Sequence, residues 1–137
     1  MNVRRLLAVL ATGAAVAGSA ALLPAEAASA APAQYARLSI TPSVDFPGYY
    51  NVVVSGHFNT GVRVSTVGMR LKGDDPWFND DLGVSRTGSA VDGDFAVSAL
   101  VWHGTLDEDW EGQDEIFASV SSSTGWRADS NNVNGYF

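Results

Sequence analysis

The fold class is decided by residues 92–101, which read DGDFAVSALV. Asp92-Gly93 is a pair favoured in the two-residue turn of a β-hairpin, because both central residues of a type I′ turn have positive φ. A period of two, typical of a strand that buries one face, follows the turn. The inward positions are Phe95, Val97, Ala99 and Val101. This stretch therefore predicts a hairpin that leads into a half-buried strand.

The same alternation extends to both sides of this stretch, while helical periodicity is absent. Four more strands are predicted to face inward through Ala36, Leu38 and Ile40; through Tyr50, Val52, Val54 and Phe58; through Val67, Met69 and Leu71; and through Ile116, Ala118 and Val120. Residues 82–89 add an edge strand, and residues 133–137 a short last one. The pattern predicts an all-β fold, a single antiparallel β-sandwich of about seven strands of immunoglobulin or prealbumin type.

Two local features refine this prediction. Asn59-Thr60-Gly61 is typical of a hairpin loop and would join the second strand to the third. Val62 and Val64 have the opposite parity to Val67, so we expect a β-bulge near Ser65 and Thr66 that keeps both sets inward. Long loops are expected over residues 73–81 and 104–113.

Residues 1–30 have the features of an export signal. Arg4 and Arg5 precede an uncharged, Ala- and Leu-rich stretch, and Ala28-Ser29-Ala30 fits a small-residue cleavage site. A retained membrane anchor is the alternative. We expect cleavage after Ala30, a secreted and extracellular product, a β-sandwich domain over residues 31–137, and no membrane contact after cleavage.

The composition limits the partners and the chemistry. The chain has 137 residues, a net charge of −7 and no cysteine. Nucleic acids and anionic membranes are disfavoured as partners because a protein of this charge repels them. The absence of cysteine excludes disulfides, thiol catalysis and cysteine zinc sites.

Residues 52–120 carry a resemblance to a known family. The elements are Val54-x-Gly56, the strand from Val67 to Leu71, the acidic Gly73-Asp74-Asp75 with Asp80-Asp81-Leu82-Gly83, and Asp92-Gly93-Asp94-Phe95. This order resembles the transthyretin-like (prealbumin-like) β-sandwich family. The resemblance implies a sandwich fold and a secreted binding protein, and it carries no enzymatic motif.

Acidic residues are concentrated in one window. Twelve of the 15 Asp and Glu residues lie in residues 74–115, where Arg86 is the one basic residue. If successive strands alternate in direction, the loops after the first, third and fifth strands share one end of the domain. Nine carboxylates would then meet there: Asp45, Asp74, Asp75, Asp80, Asp81, Asp107, Glu108, Asp109 and Glu111. Like charges at such density are costly unless they are solvated, protonated or neutralised.

Calcium is the cation that fits these loops, because it takes six to eight oxygen ligands from flexible chain segments. Asp107-x-Asp109-x-Glu111-Gly112 matches the opening of an EF-hand-type loop, with Glu115 at the ninth position, although Ala118 replaces the glutamate of a full EF-hand. The predicted metal ligands are Asp74, Asp75, Asp80, Asp81, Asp107, Asp109, Glu111 and Glu115. A solvated acidic rim that keeps the protein soluble is the alternative.

Three aromatic residues lie inside the acidic loops: Trp77, Phe78 and Trp110. They are candidates for partner binding, in which the rings stack on sugars or hold a cationic group. Folding back as loop anchors is the other interpretation. Trp102 alternates outward from the buried face of its strand and is interpreted as a cap on the sheet edge.

The sequence favours a secreted, non-enzymatic binding module whose partner is an extracellular protein or a glycan, with calcium ordering its acidic end. The first alternative is a secreted inhibitor or effector whose acidic loops engage a basic surface. A structural or envelope-associated protein that self-associates through its edge strands is the second. An enzyme is disfavoured because no nucleophile-elbow motif occurs and so small a sandwich offers little cleft.

Overall fold

The computed structural model describes residues 30–75, 78–107 and 112–137. The predicted signal peptide therefore lies outside the described residues, apart from Ala30. The elements are β1 (Tyr35–Pro42), β2 (Tyr49–His57), β3 (Val64–Asp74), β4 (Asn79–Val91), β5 (Asp94–Trp102), α1 (His103–Leu106), β6 (Asp114–Ser122), β7 (Arg127–Asp129) and β8 (Val133–Gly135). Nowhere in these three ranges is a helix long and apolar enough to cross a membrane.

All strand pairings are antiparallel and join the strands into one sheet. The order is β1-β2-β5-β4-β3-β6-β7, with β8 also paired to β6. The sheet is nearly barrel-shaped. The structure thus confirms an all-β antiparallel fold, whereas the two-layer sandwich of immunoglobulin or prealbumin type stays a prediction.

The alternation predicted from the sequence is confirmed on five strands. Inward-facing side chains of β1, β2, β3, β5 and β6 form one apolar core, closed at one end by Phe58. The Asp92-Gly93 turn is also as predicted, with φ of 51° and 88°. It joins β4 to β5, which pair only through Ala90 with Phe95 and Val91 with Asp94 before they diverge.

The predicted hairpin between the second and third strands is wrong. β2 pairs with β1 and β5, while β3 pairs with β4 and β6, so the chain crosses over between β2 and β3. The Phe58 N–H instead donates to the Gly93 carbonyl, 3.1 Å away. The β4–β5 hairpin therefore occupies the position beside β2 that a local hairpin would have given to β3.

The predicted bulge near Ser65 and Thr66 is also wrong. Val62 and Val64 face solvent, and Ser65 takes the inward position, so the parity of β3 does not change. The register shift lies further along, between Arg70 and Lys72, where β4 contributes two extra residues around Gly83. Gly83 has a φ of 71°, a conformation that glycine adopts without strain.

A side chain joins the two outer strands of the sheet. The Asn131 amide accepts a hydrogen bond from the Leu38 N–H (2.9 Å) and donates one to the Leu38 carbonyl (3.3 Å). An amide can do both because it carries a carbonyl and an NH2 group. Asn131 thereby provides hydrogen-bond partners for the Leu38 N–H and carbonyl of β1, at the edge where the sheet does not close by strand pairing.

Candidate functional site

The connections from β1 to β2, from β3 to β4 and from β5 to β6 start and finish at the same end of the sheet. Tyr49 pairs with Trp102, so the β1–β2 loop lies beside the end of β5. Gly73 pairs with Ile116, so the end of β3 lies beside the start of β6. We call the end of the sheet that carries Asp45, Asp74, Asp75, Asp80, Asp81, Asp107, Asp114 and Glu115 the acidic end.

Several predicted metal ligands lie in strands rather than in a loop. The β3–β4 ladder continues through Lys72–Asp81, Gly73–Asp80 and Asp74–Asn79, which leaves only residues 75–78 to connect the strands. Consecutive strand residues point to opposite faces, so Asp80 and Asp81 diverge. The predicted long loop over residues 73–81 is therefore wrong, because a regular ladder holds its carboxylates apart.

Three of these carboxylates already have protein partners. Asp81 lies 3.1 Å from the Arg70 guanidinium and accepts a hydrogen bond from the Gly83 N–H. Asp74 accepts one from the Asn132 amide at 2.5 Å. Glu115 faces outward and accepts a longer one from Asn134, at 3.4 Å.

Within the described residues, the remaining predicted site residues are not brought together. Asp75 is half-buried beyond the end of β3, and Asp107 is exposed after α1. No group of three His, Asp or Glu residues that could hold a metal occurs in residues 30–75, 78–107 and 112–137. Asp109, Glu111, Trp77 and Trp110 lie outside the described residues. Phe78 is 77% exposed, so its ring is open to a partner.

An exposed aromatic surface lies at the acidic end. Trp102 points outward from the end of β5 and is 46% exposed, and Phe46 and Tyr49 are exposed beside it. Tyr49 packs edge-on against Trp102 with ring centroids 5.2 Å apart, and Phe46 packs edge-on against Tyr49 at 6.5 Å. We call these three residues the aromatic platform.

The β1–β2 turn fixes the platform. Residues 46–49 read FPGY, and the Tyr49 N–H donates to the Phe46 carbonyl at 3.0 Å. Proline at the second position and a glycine with φ of 81° at the third are typical of a type II turn. The turn carries Phe46 and Tyr49 at its two ends.

The Trp102 ring is held from two further sides. A Cβ on Gly48 would lie 2.5 Å from ring atom Cζ3, so the ring rests on the glycine backbone. The His103 ring also packs against it, with centroids 4.3 Å apart and the ring planes tilted by 53°, and the His103 N–H donates to the Gly48 carbonyl. The ring is therefore fixed before any ligand arrives.

Sequence reasoning missed this platform. It identified Trp102 as outward-facing and interpreted it as a cap on the sheet edge, and it assigned no role to Phe46 or Tyr49. The available signal was the Phe-Pro-Gly-Tyr turn together with an outward tryptophan. The contact between them requires the β2–β5 register, in which Tyr49 lies across from Trp102.

His57 occupies the opposite end of the sheet. Its side chain is 14% exposed, and Nδ1 lies 2.8 Å from the Asp94 carboxylate. Nε2 is buried without a hydrogen-bond partner within the part of the chain that the structure describes. The His57 and Asp94 side chains therefore bridge β2 and β5.

Comparison of the chain with protein families, with curated proteins and with solved structures gave no match. The transthyretin-like resemblance therefore stays a prediction.

Proposed function

We propose that this chain is a secreted, non-enzymatic binding module that recognises a glycan on the aromatic platform. The observation that carries the proposal is the half-exposed Trp102 ring, immobilised by Gly48, Tyr49 and His103. Tryptophan and tyrosine provide a large contact area at a low cost in conformational entropy. A platform that is already ordered avoids most of the ordering cost of binding.

The size and surroundings of the platform favour a sugar over a protein. A stable protein interface takes about 20–30 residues from each side. Three adjoining rings match one or two sugar units, whose C–H groups can lie on the electron-rich ring faces. Exposed carboxylates at the same end, Asp45 and Asp107, can accept hydrogen bonds from sugar hydroxyls.

Binding to insoluble neutral polysaccharides tests this function. We expect cellulose, chitin or β-1,3-glucan to deplete the secreted chain from solution, and Trp102→Ala to weaken that binding at least about tenfold, as for a central aromatic contact. Tyr35→Ala is the matched control, because Tyr35 is an exposed aromatic residue at the opposite end. Trp102→Phe should restore part of the affinity. Retention of the wild type by none of the three polymers would contradict the proposal.

Calcium at the acidic end is a second part of the proposal. The described carboxylates form no three-residue cluster, and the proposal therefore assigns part of the ligand set to Asp109 and Glu111, which lie outside the described residues. Binding to the folded state alone stabilises it by about 2.7 kcal/mol at a ligand concentration of 100 Kd. We therefore expect millimolar calcium to raise the thermal unfolding midpoint by several degrees relative to chelator.

A pair of variants identifies which carboxylates coordinate calcium in that experiment. Asp109→Asn should abolish the rise, and Asp129→Asn should leave it intact because Asp129 lies on β7, away from the acidic end. An unchanged midpoint in calcium would show that the acidic end is a solvated rim.

The alternative function is an inhibitor or effector that engages a basic protein surface. Exposure of Asp45, Asp80 and Asp107 at one end supports it. Such a protein would bind its partner better in chelator than in calcium, because bare carboxylates make the contact. The wild type and Trp102→Ala would also bind this basic partner equally well.

A further inference from the structure

Apart from the aromatic platform, a groove lies on the outer face of β3, β4, β6 and β7. Two rows of side chains cross it: Thr87, Gly68, Ser121 and Arg127 in one, and Ser85, Arg70, Ser119 and Asp129 in the other. Most of these side chains are small, and the sheet curves beneath them to form a groove of about 810 Å³. That volume is within the range of small-ligand sites.

Basic residues are concentrated in this groove. Of the eight Lys and Arg residues in an acidic chain, three lie at outward strand positions that line it: Arg70, Lys72 and Arg127. We call this surface the basic groove. Asp129 is the one acidic residue among the lining side chains, and its carboxylate accepts a 2.6 Å hydrogen bond from Ser119.

Two of the cations have no carboxylate partner. Arg70 pairs with Asp81, which is also the direct cross-strand neighbour of Lys72. Over the residues that the structure covers, neither Lys72 nor Arg127 lies within 4 Å of a carboxylate. The groove therefore presents unpaired positive charge on a protein whose net charge is −7.

We propose that the basic groove binds a carboxylate-bearing sugar chain, such as a polyuronate. Guanidinium groups bind carboxylates through paired, charge-assisted hydrogen bonds. Four hydroxyl side chains, Ser85, Thr87, Ser119 and Ser121, line the same groove and match the hydroxyls of a sugar. Among the described residues that line the groove none is aromatic, so this site works by charge and hydrogen bonds and is independent of the aromatic platform.

The charge of the whole chain excludes denser polyanions. Nucleic acids and polyphosphates carry their charge at short spacing, and the acidic remainder of the protein would repel them. A polyuronate carries one carboxylate per sugar unit, separated by neutral hydroxyls. Such a ligand would bring carboxylates to Lys72 and Arg127 at a lower charge density than duplex DNA.

Gly68 provides a blocking variant that should fold. A Cβ at this position would meet no atom closer than 3.8 Å, so a larger side chain fits on the outer face. Valine also favours extended backbone. Gly68→Val should fill the centre of the groove while the thermal unfolding midpoint stays at or above that of the wild type.

Calorimetric titration with oligogalacturonate at low ionic strength tests the proposal. We expect binding that weakens with added salt. The affinity should be about tenfold lower in Arg127→Gln or Lys72→Gln, as for the loss of one charge-assisted hydrogen bond. Gly68→Val should lower the affinity about tenfold as well, because the valine fills the centre of the groove. Arg63→Gln, outside the groove, should bind like the wild type. Trp102→Ala should also bind like the wild type, which separates this site from the aromatic platform.

Matched ligands establish the chemistry. Fully methyl-esterified oligogalacturonate keeps the sugar and removes the charge, and it should not bind. Tighter binding of polyglutamate or of inorganic phosphate would overturn the sugar assignment. Binding that is absent, or unchanged in both Arg127→Gln and Gly68→Val, would overturn the site.

Discussion

Replacing Phe58 by alanine should lower the free energy of unfolding by about 3–5 kcal/mol. The Phe58 side chain is 0% exposed, and its ring stacks on Trp126 with centroids 4.8 Å apart and an interplanar angle of 14°. It also packs against Phe95 at 6.1 Å. Removing the ring leaves a cavity and removes two aromatic contacts, each of which contributes about 0.5–1.5 kcal/mol beyond area burial.

Urea unfolding followed by circular dichroism measures this effect. A domain of this size has a total stability of about 5–15 kcal/mol, so the variant should unfold at a much lower urea concentration. Phe78→Ala is the matched control: its ring is exposed, and the change should stay within about 0.5 kcal/mol. A loss below about 1 kcal/mol in Phe58→Ala would contradict the position of the ring in the core.

Gly93→Ala should be comparably destabilising, by about 3 kcal/mol or more. Gly93 has a φ of 88°, which costs an alanine about 1–2 kcal/mol. A Cβ there would also lie 1.9 Å from the Phe58 carbonyl oxygen, so the backbone of the crossover must move. That movement breaks the Phe58 N–H bond to Gly93, which contributes about 1 kcal/mol.

Gly125→Ala distinguishes the cost of the backbone conformation from the cost of a steric clash. Gly125 has a φ of 93°, but a Cβ there would meet nothing within 4 Å. This variant should therefore lose only the backbone cost of about 1–2 kcal/mol. Equal losses in the two variants, measured by the same urea unfolding, would contradict the close approach of the β4–β5 turn to Phe58.

Local sequence patterns predicted the strands well because alternation reports directly on which face is buried. The Asp92-Gly93 turn could be predicted for the same local reason, since its backbone requires positive φ. The path of the chain between β2 and β3 could not be predicted from local sequence. Asn59-Thr60-Gly61 is compatible with a hairpin, and only the long-range pairing of β2 with β5 excludes it.

The parity of β3 was misread for a related reason. Val62 and Val64 suggested burial, yet both face solvent beside the crossover, and Ser65 faces inward. Apolar residues are common on protein surfaces, so two valines at one parity do not establish a buried face. No local pattern indicated that Trp126 stacks on Phe58 against the core.

The candidate site was predicted only in its location. Strand alternation indicated which loops share an end, and the pairings place them there. Composition drew attention to the carboxylates, but the β3–β4 ladder separates Asp80 from Asp81. The aromatic platform depends on a contact between Tyr49 and Trp102, 53 positions apart, which no local pattern contains.

The most direct test of glycan recognition on the platform is the indole N–H spectrum of the 15N-labelled protein during titration with cellohexaose and chitohexaose. We expect the Trp102 signal, assigned from its loss in Trp102→Phe, to shift progressively with one of these sugars. The Trp126 signal should stay in place because that ring stacks on Phe58. A Trp102 signal that stays fixed with both sugars would contradict the proposed function.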